Sequence, residues 1–154
     1  MPAAPSPVVE TVRALARLAR LIERSTGELS LAHYRVLSAV AGGDERASRM
    51  ATRLALGKPA ISAAVEALCQ RGLLIREDVE GDQRATSLRI TDEGAAILIT
   101  VEGAMVHLLS AVIDHTPDPA GVLGSLTQLG AALDKVADER PAARTRPTSA
   151  GAAG

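Results

Sequence analysis

The chain has 154 residues, a formal net charge of −1 at neutral pH, a hydrophobic content of 47% and a charged content of 23%. This composition predicts one globular domain with added dimerisation helices, and it excludes disorder along the whole chain and a uniformly basic coat protein. Tyr34 is the only Phe, Trp or Tyr residue, which excludes a module that stacks several single-stranded bases on aromatic rings.

The start of the chain and its cysteine content indicate where the protein works. The first seven residues contain three prolines and lack the basic segment and apolar core of a secretion signal. The single Cys69 excludes an intramolecular disulfide, so we expect a cytoplasmic protein. We expect this cysteine to be a small, half-buried packing residue, and the alternative is a redox-sensing thiol.

Residues 8–24 have the periodicity of an amphipathic helix. Apolar side chains recur at intervals of four and three residues, at Val8, Val12, Leu15, Ala19 and Ile22. Another face carries four arginines, Arg13, Arg17, Arg20 and Arg24. The apolar stripe predicts packing against a partner, and the arginine row fits either a solvated face or contact with DNA phosphates.

The next segment predicts a short helix that lies mostly in the core. Ser30 is a suitable N-cap, and Gly42 with Gly43 ends the helix.

Two short helices about one turn apart follow, which is the pattern of a helix-turn-helix. The first covers residues 48–54, and the second starts at Lys58 and Pro59, because proline is well tolerated in the first turn of a helix. Gly72 ends the second helix. The side chains that we expect it to bury are Ile61, Val65 and Leu68, and the side chains that we expect on its free face are Lys58, Ser62 and Glu66.

A β-hairpin with a long tip is predicted after these helices. Residues 73–76 and 86–90 are short runs typical of strands, and the polar residues 77–85 between them contain a glycine. Helix, helix, turn, helix and hairpin is the order of a winged helix-turn-helix. The predicted fold class is therefore mainly α with a small β-hairpin wing, flanked by N- and C-terminal dimerisation helices.

Thr91 is the predicted N-cap of a long apolar helix. Its residues 94–113 are long enough to cross a bilayer. Glu102 near the middle and acidic rather than basic flanks argue against a membrane span, so we expect no membrane partner. We expect instead a helix that is buried on nearly every side, which in so small a protein requires a partner chain.

The end of the chain predicts a second dimerisation helix and a disordered tail. The helix carries an apolar seam at Val122, Leu126, Leu129, Leu133 and Val136. Pro, Ala, Gly, Thr and Arg dominate from residue 140 onward. The predicted organisation is an N-terminal dimerisation helix at 1–29, a winged helix-turn-helix at 30–91, C-terminal dimerisation helices at 92–139 and a disordered tail at 140–154.

Positive charge is concentrated around the predicted helix-turn-helix. Residues 46–65 contain four basic and no acidic residues, whereas the rest of the chain contains more acidic than basic residues. The four basic residues are Arg46, Arg49, Arg53 and Lys58. This local excess predicts a cationic surface that faces the phosphates of double-stranded DNA.

Catalytic and metal-binding patterns are weak in this sequence. His33, His107 and His115 lack the close spacing of zinc ligands, and the serines lack the Gly-x-Ser-x-Gly elbow of a hydrolase. Gly57-Lys58 lacks the upstream glycine and the following hydroxyl of a phosphate-binding loop. We therefore expect no enzyme, no metal site and no cofactor.

Four short motifs occur in a fixed order around the predicted hairpin. They are Ile61-Ser62, Arg71-Gly72-Leu73-Leu74, Asp82-Gln83-Arg84 and Leu88-Arg89-Ile90-Thr91-Asp92-Glu93-Gly94. With the small residues that precede the second helix of the helix-turn-helix, they resemble the MarR family of transcriptional regulators. The resemblance covers residues 31–94, and the flanking helices fit the dimerisation region of that family.

This resemblance implies a homodimeric regulator, expected to be a repressor, whose two recognition helices enter successive major grooves of a pseudo-palindromic operator. It implies that DNA contacts come from Lys58, Pro59, Ala60 and Ser62 in the recognition helix and from Gln83 and Arg84 in the wing. Asp82 is implied to steady Arg84 through an ion pair. An ordinary turn salt bridge is the alternative for that pair, and a plain surface hydroxyl is the alternative for Ser62.

Two departures from the family pattern predict modest, salt-dependent affinity for DNA. Ala63 stands where many relatives place an arginine after the serine of the recognition helix. The wing region is also rich in carboxylates, at Glu77, Asp78, Glu80 and Asp82, which repel phosphate unless they point away from it. The alternative function is therefore a winged-helix module for dimerisation or protein contact that does not bind DNA.

The resemblance also implies a small aromatic effector. We expect such a ligand to bind between the dimerisation helices and the winged domain and to change the spacing of the two recognition helices. His33 and Tyr34 are the candidate ligand-binding residues, as polar ring side chains in this part of the sequence.

Overall fold

The computed structural model of the chain describes residues 6–43, 50, 54, 56–78 and 86–139. Within these ranges the chain is mainly α-helical with one two-stranded antiparallel sheet, as predicted. The elements are α1 (Pro7–Ser25), α2 (Leu31–Ala41), α3 (Lys58–Gln70), β1 (Leu74–Asp78), β2 (Thr86–Ile90), α4 (Asp92–Ile113) and α5 (Pro119–Glu139).

Side-chain caps start three of the helices. The side-chain oxygens of Ser30, Thr91 and Asp118 each accept a hydrogen bond from the backbone N–H three residues further along, at 3.0 to 3.1 Å. Such a bond satisfies one of the N–H groups that a helix N-terminus leaves unpaired. The caps predicted at Ser30 and Thr91 are confirmed, and Asp118 caps α5.

One apolar core joins α2, α3, the hairpin and the first half of α4. Its members include Val36, Leu37, Met50, Ile61, Leu68, Leu73, Leu74, Leu88, Leu98 and Val101. The prediction that Ile61, Val65 and Leu68 are buried on α3 is confirmed, and Ala64 is buried beside them. This core holds α2, Met50, α3 and the two strands of the hairpin together as one unit, which we call the winged unit.

A Schellman turn joins the end of α3 to β1. Gly72 has a φ of 72°, its N–H donates to the Cys69 carbonyl at 3.0 Å, and the Leu73 N–H donates to the Leu68 carbonyl at 2.9 Å. Only glycine adopts this left-handed conformation without strain. The predicted stop at Gly72 is therefore confirmed, and its geometry determines the direction in which β1 leaves α3.

The hairpin begins one residue later and extends further than predicted. Leu73 belongs to the turn after α3, and the strand pairing starts with Leu74 opposite Ile90. Glu77 lies opposite Ser87, so it belongs to β1 and not to the tip. Polar residues extend the ladder here because the outward face of a two-stranded sheet is solvated.

Gly94 allows α4 to start directly against the end of α3. A Cβ atom at this position would lie 2.2 Å from the Leu73 carbonyl oxygen, which is far inside van der Waals contact. Thr91 reinforces the junction, since its hydroxyl donates to the Gly72 carbonyl at 2.7 Å and its N–H donates to the Leu73 carbonyl at 3.2 Å. The Thr91 and Gly94 positions of the family motif thus have a structural role in this chain.

The flanking helices are only partly covered by the rest of the chain. The apolar residues of α1 are exposed or half-buried, and no side chain described in α5 is buried. On α4 a stripe at Leu98, Val101 and Met105 faces the core. In the single chain Ile99 and Val106 of α4 are 70% and 62% exposed, so burial of this helix on nearly every side, which was expected only with a partner chain, stays a prediction.

Two predicted segments lie largely or wholly outside the described residues. Of the helix predicted over 48–54, the structure describes Met50, which is helical and buried, and Leu54. The Leu54 N–H donates to the Met50 carbonyl at 2.8 Å, which is the spacing of an α-helical turn. The tail predicted from residue 140 onward lies outside the described residues.

Candidate nucleic-acid interface

The two faces of α3 differ in both burial and side-chain size. Its inward face is buried, whereas Lys58, Pro59, Ala60, Ser62 and Ala63 are exposed. These side chains are small except for Lys58, so the helix axis can approach another surface closely. A helix whose inward face packs on a core and whose exposed side chains are short has dimensions that suit the DNA major groove.

The first turn of α3 presents polar groups to solvent. Gly57 is the N-cap residue and supplies no side-chain cap, and Pro59 lies in the first turn. The backbone N–H groups of such a turn lack intrahelical partners, and the positive end of the helix dipole points outward. Together with the charge of Lys58, this end of α3 favours contact with an anionic group.

Arg35 of α2 fastens the segment that precedes α3. Its Nη2 donates to the Leu54 carbonyl at 2.5 Å, across 19 residues of sequence, and the side chain is half-buried. This bond connects the second helix of the fold with the end of the turn that Met50 and Leu54 form. Sequence reasoning missed it, and the available signal was a lone arginine within an apolar helix.

Glu66 lies on the exposed face of α3, but its carboxylate is not free. Arg76 Nη2 of β1 lies 2.9 Å from Glu66 Oε2, and Gln70 Nε2 donates to Glu66 Oε1 at 3.2 Å. The hydrogen bond and charge of Arg76, with a smaller contribution from Gln70, hold the pKa of Glu66 below its usual value. The predicted exposure of Glu66 is confirmed, and its ion pair with an arginine of the hairpin was not predicted.

A second ion pair changes the electrostatics of the hairpin. Arg89 Nε of β2 lies 2.6 Å from Glu77 Oε1 of β1. This pair neutralises one of the four carboxylates that the sequence places in the wing. Sequence reasoning missed the pair because it depends on the strand register, which puts Arg89 opposite Ile75 and diagonal to Glu77.

Several predicted DNA-contacting residues lie outside the described residues. They are Arg46, Arg49, Arg53, Gln83 and Arg84, together with the predicted wing-stabilising Asp82. The predicted residues that the structure brings together are Lys58, Pro59, Ala60 and Ser62, which share the exposed first two turns of α3.

The two candidate effector-binding residues lie at the start of α2. His33 is half-buried, and its backbone N–H donates to the Ser30 hydroxyl. Tyr34 is half-buried and packs against the core. Burial and then the negative charge of Glu102 on α4 raise the pKa of the Tyr34 hydroxyl. Tyr34 therefore connects the winged unit with the long helix.

The remaining candidate chemistry is sparse in the part of the chain that the structure describes. No group of three His, Cys, Asp or Glu side chains there is placed to hold a metal ion. His107 and His115 are exposed, and the Nδ1 atom of His115 lies 2.7 Å from the Ala111 carbonyl oxygen. Cys69 is half-buried against the core, as expected for a packing residue.

By length and composition alone, α4 could cross a membrane. Its most apolar window has a mean hydropathy of 2.0, and 17% of that window is buried within the chain. An apolar helix that packs in a soluble protein meets the same two criteria, so this property does not distinguish a lipid from a protein neighbour.

Comparison with known proteins relates this geometry to one family. The MarR family model matches residues 28–85, which contain α2, α3 and β1. Curated protein sequences give no match.

Solved structures extend the likeness to nearly the whole chain. The PcaV transcriptional regulator from Streptomyces coelicolor, solved with its natural ligand, is 23% identical with a TM-score of 0.67 over 90% of this chain and 99% of its own. The transcriptional repressor CouR, bound to a 23-mer DNA duplex, is 22% identical with a TM-score of 0.70 over 82% of this chain and 92% of its own.

A further structure of CouR, from Rhodococcus jostii with p-coumaroyl-CoA bound, is 18% identical with a TM-score of 0.67 over 90% of this chain and 99% of its own. At these identities the structures show a shared fold, and the matching proteins are named as transcriptional regulators and not as enzymes. Residues 28–85 of this chain thus match the MarR family model, and its described residues share the fold of these solved transcriptional regulators.

Proposed function

We propose that this protein is a homodimeric transcriptional repressor that binds a pseudo-palindromic DNA operator through α3. The observation that carries the proposal is the arrangement of α3, whose inward face is buried in the core while Lys58, Ala60 and Ser62 lie exposed on its first two turns. A helix that packs on a core and exposes short side chains able to form hydrogen bonds can enter the major groove and contact base edges with its N-terminal residues.

Dimerisation is proposed from the apolar surface of the flanking helices. Val12 on α1, Val106 on α4 and Leu133 on α5 are each about 60% exposed in the single chain. Exposed apolar side chains on three long helices form a surface that a second copy of the chain can cover. The proposed organisation assigns residues 1–29 and 92–139 to dimerisation and residues 30–91 to DNA binding.

Twofold symmetry connects the dimer with the operator. Two copies of α3 related by a twofold axis fit half-sites that are one helical turn of DNA apart, at about 34 to 36 Å. Repression follows if such a site overlaps a promoter. The repressor CouR, which has this fold, was solved on a DNA duplex.

We further propose that a small aromatic or acyl effector releases the DNA. Tyr34 and His33 are half-buried at the start of α2, and Glu102 of α4 acts on the Tyr34 hydroxyl. A ligand that inserts between α2 and α4 would move the winged unit relative to the dimerisation helices. PcaV and CouR were each solved with a small ligand.

The test begins with selection of bound sequences from a random duplex pool by the full chain. We expect an inverted repeat whose half-sites are one helical turn apart. Titration of that duplex at increasing salt should weaken binding with a log-log slope of several units, because bound counterions are released. Failure to bind any duplex at low salt would contradict the proposal and favour the protein-interaction module.

The chain offers a matched pair for assigning the contact to α3. Lys58 and Lys135 are its only lysines, and both are exposed, on α3 and α5. Lys58→Ala should weaken binding several-fold and lower the salt slope by about one, as expected for the loss of one phosphate contact. Lys135→Ala removes the same charge and should leave both quantities unchanged. Equal effects of the two substitutions would contradict the placement of α3 on DNA.

A further inference from the structure

The ion pair between Glu66 and Arg76 connects two elements that the proposed function requires to act together. Glu66 lies on α3 one turn beyond Ser62, on the same exposed face. Both of its carboxylate oxygens are engaged within the chain, one by Arg76 at 2.9 Å and the other by Gln70 at 3.2 Å. An unpaired carboxylate on this face would repel DNA phosphates, and this one is neutralised by the hairpin.

The strand register places Arg76 on the α3 side of the hairpin. Successive side chains of a strand alternate between its two faces, so Leu74 and Arg76 point to the same side. Leu74 is 1% exposed, and Leu88, directly opposite Arg76, is 6% exposed. Arg76 therefore lies at the edge of the apolar contact between α3 and the sheet, two residue pairs outward from Leu74 and Ile90.

Arg76 extends the contact between the hairpin and α3 beyond Leu74. A two-stranded hairpin is marginally stable by itself and takes its orientation from what it packs against. Leu74 and Leu88 fasten its base to the core, and Arg76 is the next described residue of β1 with a contact to α3. The half-exposed ion pair is thus placed to control the angle between the hairpin and the helix.

We propose that Glu66 and Arg76 are a pair of positioning residues that hold the hairpin and α3 at the angle at which both meet one DNA duplex. This inference rests on the proposed DNA-binding function. Neither side chain needs to touch DNA for the pair to act. Its loss lowers affinity because the free protein samples hairpin angles that do not fit, and binding then requires reordering.

Glu66→Gln separates positioning from simple electrostatics. Removal of a negative charge near DNA strengthens binding if long-range charge is all that matters. If the pair positions the hairpin, the same substitution weakens binding, and we expect about a threefold loss of affinity, the size that a half-exposed ion pair permits. The measurement is fluorescence anisotropy on the selected duplex, with an unchanged salt slope because no phosphate contact is lost.

Two further variants complete the experiment. The charge-swapped double variant Glu66→Arg with Arg76→Glu keeps the net charge and should return the affinity to within about twofold of the native chain, as coupled pairs do in double-mutant cycles. Glu77→Gln is the matched control, since it breaks a Glu–Arg pair within the hairpin and leaves α3 untouched. It should not weaken binding.

The outcomes distinguish this inference from the function on which it rests. If the native chain binds no duplex, both fail. If the native chain binds and Glu66→Gln binds as tightly or more tightly, the positioning role is wrong while the function stands. A loss with Glu77→Gln equal to that with Glu66→Gln also overturns it. Circular dichroism melting, in which all variants should unfold within a few degrees of the native chain, excludes misfolding as the cause.

Discussion

The winged unit and the flanking helices differ in where their apolar side chains find partners. In the winged unit, Leu37, Leu68 and Leu73 are at most 1% exposed within a single chain. On the flanking helices, Val8, Ile99 and Leu133 are 62% to 71% exposed. The difference is what the proposed dimer requires, since a second chain would cover the apolar faces that the long helices leave exposed.

The largest expected effect comes from a cavity in the winged unit. Leu68→Ala removes a fully buried side chain and should lower the free energy of unfolding by about 2 to 5 kcal/mol. Because the lost contacts lie within one chain, the loss should be the same at every protein concentration. Leu133→Ala is the control, and its effect should appear only where the dimer is populated. Chemical denaturation at two concentrations measures both.

The next largest effect is expected at the junction of α3 and α4. Gly94→Ala places a Cβ atom 2.2 Å from the Leu73 carbonyl oxygen, so the helix must shift. We expect a loss of about 1 to 3 kcal/mol, as for overpacked cores. Gly103→Ala, at a position on α4 where a Cβ atom would meet no neighbour, should be neutral or stabilising. Equal melting temperatures for the two variants would contradict the close approach.

The proposed assembly gives the third prediction. Val106→Glu adds a charge to the exposed apolar face of α4 and should raise the dimer dissociation constant at least tenfold, about 1.4 kcal/mol. Analytical ultracentrifugation measures it. Thr100→Glu, at an exposed polar position about 120° around the helix from Val106, is the control. A native chain that is monomeric at all concentrations would show that no second copy covers the exposed apolar side chains of the flanking helices.

The smallest effect concerns Tyr34, at the boundary of the two regions. Burial and the Glu102 carboxylate raise its pKa above 10.0, so the neutral hydroxyl is favoured in the folded chain. The resulting stability is present below pH 10 and is lost as the pH rises through the folded-state pKa. Near-ultraviolet absorbance measures this group without overlap, since the chain has no other Tyr or Trp. Glu102→Gln should lower the midpoint pH of the Tyr34 titration. An unchanged midpoint would show that the charge of Glu102 does not act on the Tyr34 hydroxyl.

Local chemistry made much of the fold predictable. Ser30, Gly72 and Thr91 act through their immediate neighbours, so the helix ends that they specify are visible in the sequence. The four-three spacing of Ile61, Val65 and Leu68 likewise identifies the buried face of α3. Burial of that face in turn predicts which of its residues are exposed.

Features that depend on contacts between distant segments were not predictable. The Glu66–Arg76 and Glu77–Arg89 pairs require the hairpin register, and Arg35 reaches a carbonyl 19 residues away. What covers the exposed apolar side chains of α4 is likewise not predictable, because apolar periodicity identifies a face that avoids water without identifying its partner. The predicted contacts of Arg84 and Asp82 lie outside the described residues and stay predictions.

The junction at Thr91 has a mechanical consequence for regulation. Since α4 starts against the Leu73 carbonyl and its N-cap Thr91 is bonded to the turn that ends α3, we expect the base of α4 and α3 to move together. A helix of 22 residues is about 33 Å long, so a tilt of about ten degrees displaces its far end by about 6 Å. In the proposed dimer, a small rearrangement where two chains meet would thus be amplified into a change of pitch between the two copies of α3.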